Sequence, residues 1–159
     1  MNDQALKYWN DFWRGQEPPK NVIAEQFGPG YTPLSDELAQ EIIEGKKRAT
    51  CPGHIFFELE NEPLPEVGDY TIVLNSKDEP VAIIRNTEIQ ILPMNEVPVD
   101  FAIAEAGSYD RWWNSHVNFF KEDLAECGRN FSEDMLLVWI WFEVVDVKPL
   151  SDLCDKNIK

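Results

Sequence analysis

Between residues 4 and 15, Leu6, Trp9, Phe12 and Trp13 recur at three- and four-residue spacing, a period that predicts an amphipathic helix. Pro18, Pro19, Gly28, Pro29, Gly30 and Pro33 break any period over 17–34, which reads as an irregular approach loop. Ser35 is placed to cap a second helix, with Asp36 and Glu37 in its first turn and Leu38, Ile42 and Ile43 as its buried stripe, ending near Gly45. Strand-like runs at His54 to Glu60, Tyr70 to Leu74 and Val81 to about Leu92, separated by turn residues, predict a meander. Asp100 opens a helical region reaching about Cys127, interrupted at Gly107, with Trp112, His116, Phe120 and Leu124 among its inward positions. From Met135 to Val147 both alternating faces are apolar, as in a strand covered on both sides. Without alternating βαβ units, these elements predict an α+β fold: a curled sheet of four to six strands packed by about three helices.

A chain of 159 residues has room for one ordinary domain. Its 14 Lys and Arg against 29 Asp and Glu leave a net charge of −15, so it lacks the broad basic face that grips long nucleic acid by counterion release. No apolar run approaches a membrane span, and Met1-Asn2-Asp3-Gln4 lacks the layout of a signal peptide, so a cytoplasmic protein without membrane partners is expected. Cys51, Cys127 and Cys154 lie far apart and only His54 and His116 supply imidazoles, so no metal or other cofactor is expected.

Against that acidity, Lys46-Lys47-Arg48 stands out. Three cations at a helix end complement the negative pole of its dipole. Alternatively, Gly45-Lys46-Lys47-Arg48-Ala49-Thr50 delivers Lys47 and Thr50 to one corner, where a neutral amine would accept the hydroxyl proton. Glu105 sits in a small, apolar stretch, Ala104-Glu105-Ala106-Gly107, where burial would raise its pKa and suit it to acid/base work; the other reading is a solvated helical Glu. Arg85 falls on the same face as Val81 and Ile83, so either a β-bulge shifts the register or Arg85 points into a pocket. Trp112 with His116, and Tyr109 with Trp113, are spaced to form a stacking wall for a base or part of the core.

The chain resembles the ASCH domain proteins, a branch of the PUA-like superfamily. The resemblance rests on Asp36-Glu37-Leu38-Ala39 leading into Gly45 to Thr50, then Pro65 to Tyr70, Pro80 to Ile84, Glu96-Val97, Phe101-Ala102, Glu105, the Trp112 to His116 segment and the closing strand from Leu137 to Pro149. It implies a PUA-like small β-barrel with helices around it, a domain over 26–150, an N-terminal helix and loop over 1–25, and a tail over 151–159. Family members are associated with RNA, and some are similar to enzymes that hydrolyse the acetyl amide of N(4)-acetylcytidine. By position, the resemblance implies Lys47, Thr50 and Glu105 as catalytic residues, with Lys46, Arg48, Arg85, Trp112 and His116 around a nucleoside or short RNA. The −15 charge favours such a small-substrate hydrolase over the alternatives, an RNA-binding module or ribonuclease, or a ligand-binding domain without catalysis. Monomer and homodimer both stay open.

Overall fold

The computed structural model describes residues 1–149; the expected tail over 151–159, with Cys154, lies outside the described residues. Helix α1 (Asp3–Phe12) starts where the Asn2 side chain accepts from the Ala5 amide at 2.8 Å, satisfying one of the unpaired N–H groups of its first turn. The expected loop over 17–34 contains a strand, β1 (Val22–Gln26), too short and too mixed in polarity to signal itself. Helix α2 (Pro33–Ile43) begins earlier than expected, at Thr32, with Pro33 in the position where a missing N–H costs nothing. Ser35 is therefore not the cap; its hydroxyl donates to Pro29 O at 2.7 Å. Gly45, at φ 78°, turns the chain out of the helix through a conformation that side-chain-bearing residues adopt at a cost.

After the two-residue strand β2 (Ala49–Thr50), the run expected as a strand over His54 to Glu60 is instead a helix, α3 (His54–Leu59). A short apolar run satisfies either period, and here packing decides. The ladder ends in an isolated bridge between Gly53 and Leu137, and the Phe56 ring then stacks on Phe120 at 6.4 Å. Strands β3 (Tyr70–Leu74) and β4 (Pro80–Pro93) follow as expected, then a 3-10 turn at Met94–Glu96. The helical region divides at Gly107, as expected, into α4 (Val99–Ala106) and α5 (Tyr109–Glu126). Gly107 is left-handed and its N–H closes α4 onto Ile103 O, while Ser108 caps α5 by accepting from the Arg111 amide. Strand β5 (Leu136–Val147) is the last element among the described residues, buried on both faces from Leu137 to Ile140.

The strands form one mixed sheet of order β1-β3-β4-β5-β2, with β1 parallel to β3, β3 antiparallel to β4 and β2 antiparallel to β5. The architecture is α+β as expected, but among the described residues the sheet stays open, with β1 and β2 as its edges, and five helices rather than about three accompany it. The chain divides into two compact units, one made of Met1–Gly45, Gly68–Arg85 and the chain from Glu143 onward, the other of Lys46–Val67 and Asn86–Phe142. In the first unit, Ala5, Tyr8 and Trp9 of α1 pack with Ile72, Leu74 and Ile83. In the second, Phe101, Trp112, Phe120, Leu137 and Trp139 dominate the core. No helix among the described residues is long and apolar enough to cross a membrane.

Candidate functional site

Past Gly45 the chain is extended, and extended backbone sends alternate side chains to opposite sides. Burial follows that alternation: Lys46 and Arg48 are exposed, Lys47, Ala49 and Cys51 are buried, and Thr50 is intermediate. Backbone bonds from Arg48 N to Ala104 O at 2.8 Å and from Phe142 N to Arg48 O at 3.1 Å pin the segment against α4 and β5. A charge run that looked uniform in sequence thus contributes one cation to the interior.

That cation meets Glu105. Lys47, 5% exposed, places Nζ 3.3 Å from Glu105 Oε2 and donates to Ala49 O at 3.0 Å. The other carboxylate oxygen, Oε1, accepts from Trp112 Nε1 at 2.6 Å and from Cys51 Sγ at 2.9 Å, and faces His116 Nε2 at 3.3 Å. His116 Nδ1 lies 2.7 Å from Trp112 O, so both ring nitrogens face oxygen atoms of neighbouring residues. The helical spacing of Trp112 and His116 stacks their rings at 4.3 Å, which fixes both donors on one carboxylate.

The electrostatics reverse the sequence expectation for Glu105. Burial by itself raises its pKa, but the Lys47 charge, the His116 hydrogen bond and charge, and the Cys51 hydrogen bond together hold it well below the usual carboxylate range. Glu105 is therefore a resident carboxylate. For Cys51 burial dominates, the Glu105 charge adds to it, and the thiol is pushed up and stays a donor. Cys51, Glu105 and His116 also place potential ligand atoms within 4.8 Å of one another, the donor set of a metal site. The carboxylate, however, already faces the Lys47 ammonium and the Trp112 N–H, which fill the place of a cation.

Of the residues singled out in sequence, the structure thus brings together Lys47, Glu105, Trp112 and His116. Thr50 lies half-buried on β2 opposite Ile140, on the alternate side of the segment from Lys47. Cys51, considered in sequence only for disulfide or metal spacing, is the residue that reasoning missed; the alternation 47, 49, 51 is the signal for it. Trp112 is wholly buried and belongs to the core. In the same unit, a cavity of about 220 Å³ is lined by Glu88, Gln90, Pro98, Asp100, Phe101, Trp139 and Trp141, none of them predicted as site residues.

Arg85 belongs to the other unit. Its register with Tyr70 is regular, and the irregularity in the β3–β4 ladder falls at Val73/Leu74. Arg85 lies 3.8 Å from Glu143 and 5.9 Å from the Tyr70 ring centroid, and it lines a cavity of about 380 Å³ shared with residues of the first unit. Arg85 is thus an exposed cation that borders a cavity, and its pairing with Tyr70 is free of a bulge.

A family model for the ASCH domain matches residues 24–146. The chain belongs to the ASCH domain family. It is similar to the crystal structure of an ASCH domain from Lactobacillus crispatus JV V101, at TM-score 0.85 and 29% identity over 91% of this chain and 96% of that one. It is also similar to a protein of Enterococcus faecalis V583, at TM-score 0.86 and 36% identity over 96% of this chain and 94% of that one. No curated protein matches the chain. ASCH domains are an RNA-related family with a PUA-like fold, and the open mixed sheet is this ASCH domain's version of it.

Proposed function

We propose that this ASCH domain hydrolyses the acyl amide of a modified pyrimidine nucleoside, with N(4)-acetylcytidine as the substrate to test and no cofactor required. The observation that carries the reading is the buried contact of 3.3 Å between Lys47 and Glu105, an acid and a base held in reach of one proton. In the reacting form Lys47 is the neutral amine, its proton lost to solvent. It takes a proton from water as the water oxygen bonds to the acetyl carbon. The ammonium so formed, oriented by the Glu105 carboxylate, gives that proton to the exocyclic nitrogen as the C–N bond breaks, releasing cytidine and acetic acid and restoring the amine. Lys46 and Arg48, exposed on either side of Lys47, are placed to meet a phosphate or ribose of a nucleotide or short RNA. The position of Thr50 across the segment favours water as nucleophile over an acyl-enzyme on Thr50.

Incubation with N(4)-acetylcytidine should release cytidine and acetate. Lys47→Arg, which keeps the charge but cannot lose the proton at usable pH, should abolish turnover with an unchanged circular dichroism spectrum. Thr50→Ala should keep most of the activity; an acetyl adduct on Thr50 after rapid quench would instead make it the nucleophile. A second reading, a nucleoside-binding domain without catalysis, is favoured by the saturation of Glu105 by Lys47, Cys51, Trp112 and His116. Binding of cytidine with no turnover would select it.

A further inference from the structure

We propose that the cavity of about 380 Å³ in the first unit binds a planar aromatic anion, of which a nucleoside 5′-monophosphate is the fitting class. Its apolar wall is aromatic. Phe12 and Trp13, at and just past the end of α1, stand edge-on to each other at 5.5 Å, and Trp13 meets Tyr70 of β3 edge-on at 5.9 Å. Rings held in this way offer a stacking surface that accepts any base, because every base has a π-face.

The polar residues select the charge. Arg14 and Arg85 line the cavity against one carboxylate, Glu143, so the site carries an excess of positive charge within a chain of net charge −15. Arg14 adopts φ 49°, a left-handed turn directly after the helix, and forms no ion pair among the described residues. Arg85 touches Glu143 only at 3.8 Å, longer than a hydrogen bond, and so remains able to turn toward an anion. Two guanidinium groups beside an aromatic wall match a phosphate attached to a base, since the planar fork binds phosphate oxygens in pairs. A further observation points the same way: the Trp13 indole N–H is buried and has no partner among the described residues. Buried donors are nearly always paired, and a ligand that turns the indole on binding would supply the missing acceptor.

The site stands apart from the Lys47 reading, and its test separates the two. The full-length protein is titrated calorimetrically with cytidine 5′-monophosphate and adenosine 5′-monophosphate, with cytidine and with inorganic phosphate alone. Both monophosphates should bind, at least roughly tenfold tighter than cytidine or phosphate, the scale of one charge-assisted contact. Arg14→Ala and Arg85→Gln, each checked for an unchanged circular dichroism spectrum, should weaken binding at least about tenfold, whereas Lys47→Arg should leave it unchanged. A 5′-phosphorylated dinucleotide binding tighter than the mononucleotides identifies an RNA end as the source of the group; equal or weaker binding identifies free nucleotide. Absence of binding at millimolar concentration overturns the proposal. So does wild-type affinity in both arginine variants, loss of binding in Lys47→Arg alone, or phosphate binding as tightly as the nucleotides.

Discussion

Two of this protein's cation–carboxylate pairs use the same chemistry to opposite ends. Lys47–Glu105, at 3.3 Å and with side chains 5% and 7% exposed, sits in a core of Trp112, Phe101 and Trp139 where its charges have no water to turn to. Arg85–Glu143, at 3.8 Å and 44% and 53% exposed, borders an open cavity. Taking charge out of water costs several kcal/mol per ion, so a buried pair survives only with further hydrogen bonds, which Cys51, Trp112 and His116 supply to Glu105. The exposed pair needs no such support, since water solvates whatever its partner leaves free. Burial thus turns charge into fixed geometry, and exposure leaves charge available to an incoming ligand.

That contrast breaks first at Glu105. Glu105→Ala strands the Lys47 charge and the Trp112 and Cys51 donors, and should cost about 3–5 kcal/mol in urea unfolding; adding Lys47→Met should recover part of the loss. A cost below about 1 kcal/mol would mean that the pair behaves as a surface one. The same carboxylate governs the acid response. Because its folded pKa is depressed, Glu105 contributes stability that is fully present above its unfolded value of about 4.5 and is lost as pH falls from there toward the folded one. Unfolding curves of wild type should therefore lose stability below pH 4.5, and Glu105→Gln should lack that portion of the slope.

Trp112→Phe keeps the ring and removes only the N–H that reaches Glu105 at 2.6 Å, which should cost about 1.5–3 kcal/mol, the range for hydrogen bonds to a charged group. The smallest effect belongs to the exposed pair. Arg85→Gln should change unfolding stability by no more than about 1 kcal/mol and less in high salt; a larger, salt-insensitive loss would show that the pair is structural after all.

Much of this was legible in the chain itself. The spacing of Leu6, Trp9, Phe12 and Trp13 specifies α1, the interruption at Gly107 divides α4 from α5, and the apolar runs of β3, β4 and β5 mark the long strands, because each signal is local and repeats within one element. The family resemblance placed Lys47 and Glu105 among the site residues, and the extended segment after Gly45 already implies that Lys47 and Cys51 share a side. Folding decided the rest. His54 to Leu59 became a helix because its apolar run found a packing partner in Phe120 and not a strand, and β1 exists because β3 lies beside it. Arg85 shares a face with Ile83 but borders a cavity, which local alternation cannot reveal. Above all, the ionisation of Glu105 depends on a lysine 58 residues earlier and on Trp112 and His116 in the next helix. A sequence specifies that an acid is buried; only the tertiary structure brings the donors that decide whether it keeps its charge.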